Sequence, residues 1–354
     1  MNIIFFTHRL IYGGGEKVQN WLAGNLVSAG HTVYYATPNL DDKFKDELKK
    51  VQLADKVKAI EYPWGIKKKR PIKYILSVKK LYKQYDINLL INFGGTLFEE
   101  VIARSMGIKV LLSERCDPTY HKDLHQLLTN IQFKFANGYV FQTPEAAAYY
   151  GKRAVRVGKV IPNPIIDKLG EPQFDNLRKE IVSVGRLSKE KNQEGLIEAF
   201  SIFHKKHSDY KLKLYGSGPL EGLFKQRIKE LSLEGFVEII KGKTNISELI
   251  KGAELFVLNS FTEGMPNVLI EAMSMGILSI STDCPIYGPR LLVNHGENAF
   301  LTPVEQPDKL AELMCYAVEH PDEGDKIRHT AIGIRDRLRS DKIFEEWNNY
   351  IISL

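Results

Sequence analysis

Two carboxylates eight residues apart, Glu263 and Glu271, stand in a stretch otherwise made for an interior, NSFTEGMPNVLIEAMSMG (residues 259–276). From Val268 to Met275, apolar groups at Val268, Leu269, Ile270, Ala272, Met273 and Met275 would cover every face of a helix. A helix that is hydrophobic all round belongs in a core, where an unpaired polar group costs roughly 2–7 kcal/mol. Glu271 therefore calls for hydroxyl donors from a bound molecule, for a cation, or for a basic neighbour that pairs with it structurally. Glu263 precedes Gly264, Met265 and Pro266. A proline suits the first helical position, which predicts a helix from Pro266 with the amides of Asn267, Val268 and Leu269 turned to an anion. On that geometry Glu263 lies at the rim of the anion site and Glu271 about one and a half turns inside it.

Three glycine-marked turns repeat the theme. In VGRLSKEKN, Arg186 follows a strand and Lys191 opens the next helix. A planar guanidinium fork and a point charge suit a diphosphate; with Lys189 beside them, a solvated basic face is the other reading. In LYGSGPLEG, Gly216, Gly218 and Pro219 mark a helix start. Turn geometry accounts for it, with a ligand contact at Gly216 as the second reading. In IYGGGEKV, Gly13, Gly14 and Gly15 would let backbone approach a ligand, although the G-x-G-x-x-G spacing of a dinucleotide site is absent. The chain contains no D-x-D pair to hold a divalent ion under a diphosphate. No metal is expected, the cations and the helix end doing that work.

The elements that must position these turns alternate from end to end. Ile3–Phe6, Thr32–Ala36, Leu89–Asn92, Val110–Ser113 and Tyr139–Gln142 read as strands, separated by helical periods over 16–29, 96–106 and 123–136. The pattern restarts at 180–185 and runs through Leu212–Tyr215, Val237–Ile240, Leu255–Leu258, Leu278–Ser281 and Ala299–Leu301. Strand–helix alternation over short loops means parallel sheets covered by helices on both faces. The expected fold is therefore α/β: two doubly wound, Rossmann-like domains facing across a cleft. Proline, glycine and charge interrupt both periods at VIPNPIIDKLGEPQFDNLRKE. The domains expected are 1–165 and 166–340, with 341–354 returning to the first.

Bulk composition is that of a soluble globular enzyme: 354 residues, 44% hydrophobic and 26% charged. No apolar run approaches the ~20 residues a membrane-spanning helix needs, and no basic region precedes the short apolar run at the start, so no signal peptide is expected. Three cysteines without ligand spacing fit a reducing cytoplasm. The net charge of +6 conceals an excess of +11 over residues 1–165 and of −5 over the remainder, so the first half meets something anionic. Much of that excess lies in WGIKKKRPIKYILSVKKLYKQY (64–85), with Lys67, Lys68, Lys69 and Arg70 in a row and no acid. A basic amphipathic segment bearing Trp64, Tyr74 and Tyr82 reads as a membrane-surface element; a helix packed on the sheet with a solvated basic side is the alternative. Nothing in the chain resembles a nucleic-acid-binding module.

Taken together the turns resemble those of retaining glycosyltransferases of the GT-B fold, family 4 (glycosyl transferases group 1), of the kind that builds bacterial surface polysaccharides on lipid-linked intermediates. The family's E-x7-E is matched by Glu263 and Glu271, and its G-R-L-x-x-x-K-[GN] by Gly185, Arg186, Leu187, Lys191 and Asn192. Its G-x-G-P turn is matched by Gly216 to Pro219, and its early G-G-x-E by Gly13, Gly14 and Glu16.

The resemblance implies that Arg186 and Lys191 hold the diphosphate of a UDP-sugar with backbone amides of Gly14 and of the Gly264–Val268 turn, in which Gly264, Met265, Asn267 and Val268 carry N–H groups and Pro266 shapes the bend. It implies that Glu271 accepts the ribose hydroxyls, that Glu263 lies against the donor sugar, and that the KGKTN loop with Lys243 meets the base. It also implies transfer of a hexose or N-acetylhexosamine, with retention, to a glycan or lipid-linked glycan at the inner face of the cell membrane. Where many members carry a histidine after the strand Val110–Ser113, this chain has Arg115; either Arg115 takes over a sugar, phosphate or acceptor contact, with Glu16 a second candidate, or another group of the first domain does. Two other enzyme classes are set against this reading: a nucleotide-sugar 2-epimerase of the same fold and a dinucleotide-dependent dehydrogenase. A non-catalytic sugar-nucleotide-binding protein is a further alternative, with both glutamates intact against it.

Overall fold

A computed structural model describes residues 1–10, 13–66, 69–94, 97–119, 130–134, 136–167, 169–241 and 246–354. The chain divides into two compact units, Met1–Ile166 with Ser340–Leu354, and Asp167–Arg339.

Unit 1 runs β1 (Asn2–Phe6), α1 (Gly14–Ser28), β2 (Thr32–Thr37), α2 (Asp42–Lys50), β3 (Lys58–Glu61), α3 (Pro71–Gln84), β4 (Leu89–Asn92), α4 (Leu97–Ser105), β5 (Lys109–Ser113), β6 (Gly138–Phe141), α5 (Pro144–Tyr149), α6 (Lys152–Val157) and β7 (Gly158–Val160). Its seven strands are all parallel in the order β3-β2-β1-β4-β5-β6-β7. The central strands are near-continuous apolar runs because helices cover both faces of the sheet; Ile3, Ile4, Phe5, Leu90, Ile91 and Leu111 have no exposed surface.

Unit 2 runs β8 (Arg178–Val184), α7 (Gln193–His204), β9 (Lys211–Tyr215), α8 (Glu221–Glu230), β10 (Val237–Ile240), α9 (Ile246–Ile250), β11 (Ala253–Leu258), α10 (Asn267–Ser274), β12 (Leu278–Thr282), α11 (Gly288–Leu292), β13 (Phe300–Thr302), α12 (Pro307–Glu319), α13 (Pro321–Ala331) and α14 (Ile334–Arg337). Its six parallel strands are ordered β10-β9-β8-β11-β12-β13. In sequence order within the unit that is 3-2-1-4-5-6, the doubly wound arrangement of nucleotide-binding sheets. One cluster containing Ile181, Phe200, Leu212, Leu255, Ile280 and Met314 fills the space between sheet and helices.

The helix α15 (Ser340–Ser353) belongs to unit 1. Trp21 donates its indole N–H to the Ser340 hydroxyl at 2.7 Å, and the Trp347 ring stacks on Phe93 at 6.1 Å with full burial. Among the described residues no helix is long and apolar enough to cross a membrane.

Candidate active site

An open α/β sheet binds ligands outside the carboxyl ends of its strands, where the strand order reverses. In unit 2 the reversal falls between β8 and β11. Arg186 and Lys191 follow β8, and Glu263 and Glu271 follow β11, so the four side chains singled out by type and spacing flank that one crevice.

The two loops are tied across it. Lys191 Nζ lies 2.5 Å from Glu263 Oε1, with the two side chains 24% and 10% exposed. The same oxygen accepts the Ser260 hydroxyl at 2.6 Å, and the Ser260 carbonyl accepts from Thr282 Oγ1 at 2.6 Å. The Phe261 amide donates to the Glu190 carbonyl at 2.9 Å, and Asn259 Nδ2 to the Asn192 carbonyl at 3.0 Å. Burial would raise the Glu190 carboxyl, but the Ser188 hydroxyl, its own amide and the charges of Arg186 and Lys191 bring it below the ordinary value. Glu263 is thus held by donors from both loops, and Gly264, Met265 and Pro266 beside it are themselves buried.

Lys191 ends a single 3-10 turn, Lys189–Lys191, and does not open the helix as expected. Asn192 intervenes in the left-handed region, with φ 48° and ψ 42°, and its side chain caps α7 by accepting from the Gly195 amide at 3.3 Å. Only glycine visits that region freely, with asparagine next, which gives the Gly-or-Asn choice after the motif lysine a backbone cause. Gln193 donates to the Arg186 carbonyl at 2.8 Å, while the Arg186 side chain is exposed.

The helix after Glu263 starts one residue later than predicted. Pro266 is the N-cap, with extended ψ of 106°, and Asn267 is the first helical residue. The Leu269 amide, expected to face an anion, bonds back to the Pro266 carbonyl at 3.1 Å, since the first turn tightens. The Asn267 and Val268 N–H groups precede that bond. Glu271 is 9% exposed among buried Leu269, Ile270, Ala272, Met273 and Ser274.

Gly216 and Gly218 serve backbone packing. A Cβ on Gly216 would stand 1.9 Å from the Gly185 carbonyl oxygen, and one on Gly218 2.2 Å from that of Leu187. The turns after β8 and β9 lie against each other, with Leu187 N–H donating to the Ser217 carbonyl and Leu220 N–H to that of Leu187. Those bonds delay α8 to Glu221, so Pro219 lies ahead of the helix and not at its start. Lys243 and most of its KGKTN loop lie outside the described residues.

In unit 1, Gly14 is the first residue of α1 and Glu16 lies in the first turn, where its charge favours the positive helix end. Arg115 follows β5. Its Nε donates to Ser113 at 2.7 Å and its Nη1 to Asn163 at 2.9 Å, and the guanidinium lies over the rings of Phe93 and Trp347. Burial pushes it down to about 9 despite Glu114. Arg115 is a bracket inside unit 1.

Of the basic stripe, Lys67 and Lys68 lie outside the described residues, and Lys69 and Arg70 are exposed. Tyr74 and Tyr82 are buried, their hydroxyls turned to Glu99. These two aromatics face the unit's interior, against the expectation that they mark a membrane surface. The exposed apolar residues of α3 are Ile72 and Leu76, 74% and 61% exposed, beside exposed Lys73, Lys80 and Lys83.

Among the described residues one trio with metal-ligating atoms gathers within 4.8 Å: His207, Cys315 and Glu319. His207 follows α7, and the other two lie on α12, so none is on the strand-end loops of the candidate site. Ser260, Asn259 and Gln193, which hold the site together, were missed from sequence. The one signal for them was Ser260 three residues before Glu263 in NSFTEG.

Residues 167–333 match the family model described as glycosyl transferases group 1. An uncharacterized glycosyltransferase of Haemophilus influenzae is 25% identical over 96% of this chain and 96% of its own. A relative from Campylobacter jejuni, 27% identical over 59% of each chain, is named as an α-1,4-N-acetyl-D-galactosaminyltransferase acting on an undecaprenol-diphosphate-linked glycan. Among solved structures, Anabaena HepE in complex with UDP-glucose superposes over 100% of both chains, with a TM-score of 0.83 and 19% identity. The pneumococcal O-GlcNAc transferase GtfA, in complex with UDP and GlcNAc, gives 0.80 and 15% over 100% of this chain and 99% of its own.

Proposed function

For a glycosyltransferase of the GT-B fold whose second unit carries the glycosyl transferases group 1 domain, we propose transfer of a hexose or N-acetylhexosamine from a UDP-sugar to a glycan or lipid-linked glycan acceptor. The transfer proceeds with retention, giving an α-glycosidic bond, in the assembly of a bacterial surface polysaccharide. The observation that carries this reading is the Lys191–Glu263 pair, set with Arg186 at the strand-order reversal of unit 2. Arg186, Lys191 and the first-turn N–H groups of α10 take the diphosphate and stabilise the charge that develops on it as the sugar leaves, the term that dominates many such reactions. Glu263, bound to Lys191, faces the sugar, which becomes cationic in the transition state. Glu271, just over one turn into α10, accepts hydroxyls of the nucleoside. HepE and GtfA, solved with UDP-glucose or with UDP and GlcNAc, support the choice of donor class.

No metal takes part in this reading, because two cations and a helix end already oppose the diphosphate. EDTA is expected to leave turnover unchanged, and a loss restored by magnesium or manganese would overturn that assignment. The exposed Lys69, Arg70, Lys73, Lys80 and Lys83, with Ile72 and Leu76 among them, support a peripheral position on an anionic membrane face.

The deciding experiment incubates the protein with a panel of UDP-sugars, with and without a short glycan acceptor, and follows release of UDP. Acceptor-dependent release with an α-linked product is expected. Release of UDP with an epimerised free sugar, and no product on the acceptor, would favour the 2-epimerase reading instead.

A further inference from the structure

After β12 the chain makes an elbow, Asp283 to Arg290, that takes in the first residues of α11. Ile286 and Tyr287 are consecutive residues in the left-handed region, with φ of 66° and 55°. Such a conformation is uncommon for any side chain and an outlier for a β-branched one, and it persists only where the surroundings over-determine it. Those surroundings are visible. Cys284 has no exposed surface and Ile286 is 8% exposed. The Tyr287 N–H donates to the Cys284 carbonyl at 3.2 Å. Arg290 closes the elbow by a two-pronged pair with Asp283, its guanidinium 4.5 Å from the Tyr287 ring centroid.

What the elbow delivers is Gly288. Its own φ of −57° and ψ of −46° suit any residue, so torsion does not demand glycine there. Space does: a Cβ would stand 1.4 Å from the Gly264 carbonyl oxygen, 2.6 Å from its carbon and 3.3 Å from the Met265 Cα. The backbone of the elbow bears directly on the backbone that joins Glu263 to the first turn of α10.

We propose that the Asp283–Arg290 elbow sets the position of the Glu263–Pro266 turn, and that Gly288 is the positioning residue through which it acts. The functional consequence rests on the reading of that turn as the donor site. Glu263 meets Lys191 from one side of the turn, and the α10 amides leave from the other, so a shift of Gly264 moves the reacting carboxylate and the diphosphate cradle together. Misplacement by about 1 Å is enough to cost a hundredfold in rate.

The test uses the full chain, with UDP as ligand and a UDP-sugar as donor, and three variants: Gly288→Ala, Tyr287→Gly and Tyr287→Val. Hydrogen exchange of the 262–270 peptide is read without ligand, alongside UDP affinity, turnover and thermal unfolding. Gly288→Ala is expected to speed that exchange, to weaken UDP at least tenfold and to lower turnover about a hundredfold. Glycine adopts the Tyr287 conformation without strain, so Tyr287→Gly stays within about threefold of the parent. Valine resists it, so Tyr287→Val reproduces the losses of Gly288→Ala although it removes the same exposed ring. Should Gly288→Ala fail to fold, the Tyr287 pair decides, the residue being 38% exposed. Parent-like exchange and turnover in Gly288→Ala, or equal behaviour of the two Tyr287 variants, would overturn the proposal. Failure of the parent to bind UDP would sink the donor reading instead, and the elbow would then stand or fall on the exchange rates alone.

Discussion

Removing Lys191 should cost stability that removing Glu263 gives back. In Lys191→Met the Glu263 carboxylate, 10% exposed, loses the ammonium and keeps the Ser260 hydroxyl. An exposed ion pair is worth about 0.2–1 kcal/mol, and breaking a fully buried one costs about 3–5 kcal/mol. Exposures of 24% and 10% place this pair between the two, and the single substitution should cost about 2 kcal/mol. For a unit of this size that lowers Tm by about 4–8 °C. Glu263→Gln keeps the shape and an acceptor for Ser260 and leaves a lysine that reaches water, so about 1 kcal/mol is expected. The double variant should resemble Glu263→Gln alone. Ligand binding should separate the same residues. Lys191→Met weakens UDP by about 1.5–3 kcal/mol, one charge-assisted contact. Glu263→Gln removes a negative charge beside the diphosphate, so UDP affinity holds or rises while turnover falls a hundredfold or more. Calorimetric unfolding, UDP titration and initial rates on the four proteins complete the cycle. Strictly additive Tm losses would mean that the two side chains do not meet, and a Glu263→Gln variant that loses UDP as severely as Lys191→Met would mean that the carboxylate is a binding group.

Glu271→Gln should weaken UDP by about 1–3 kcal/mol, an impaired buried hydrogen bond, measured by titration, and lower Tm with it. Parent-like affinity would take Glu271 out of nucleoside binding. Neutralising Lys67, Lys68, Lys69 and Arg70 together should lower partition onto anionic vesicles by about 1 kcal/mol per charge at low salt, with turnover on a short soluble acceptor unchanged. Equal vesicle binding by variant and parent would return the stripe to a solvated surface.

Legibility from sequence followed burial. Leu89–Asn92 was read to the residue and the other central strands to within one or two, since runs covered on both faces carry an unbroken apolar signal; Val237–Ile240, an end of the second sheet, was also read to the residue because three of its four residues are apolar. Lys58–Glu61 and Gly158–Val160 were not read at all. They are β3 and β7, the two ends of the first sheet, and unlike β10 and β13, which end the second sheet, each of them is short with charge among its few apolar residues, which erases the pattern. At the site, Arg186, Lys191, Glu263 and Glu271 were legible because their types are out of keeping with their apolar or glycine-rich surroundings. Their couplings were not. The Lys191–Glu263 contact spans 72 positions, and nothing local in the sequence announces it. Tyr74 and Tyr82 misled because tyrosine suits both a membrane boundary and a core with a buried acceptor; only Glu99, on the neighbouring helix, decides between them.

Helix α15 has a consequence for the order in which the chain can fold during synthesis. Unit 2 is one continuous segment, whereas unit 1 needs Ser340–Leu354, which follows unit 2. At ribosomal rates the intervening segment takes roughly 10–35 s to make. During that time Phe93 lacks the Trp347 ring that stacks on it, and the Tyr139 amide lacks the Tyr350 hydroxyl that accepts from it at 3.0 Å. Tyr350 and Leu354 also fit against Gly138 so closely that a Cβ there would stand 2.7 and 2.6 Å from them. The sheet that begins first on the ribosome is therefore the one completed last, and a nascent chain stalled within unit 2 presents a finished strand order with an unfinished wall.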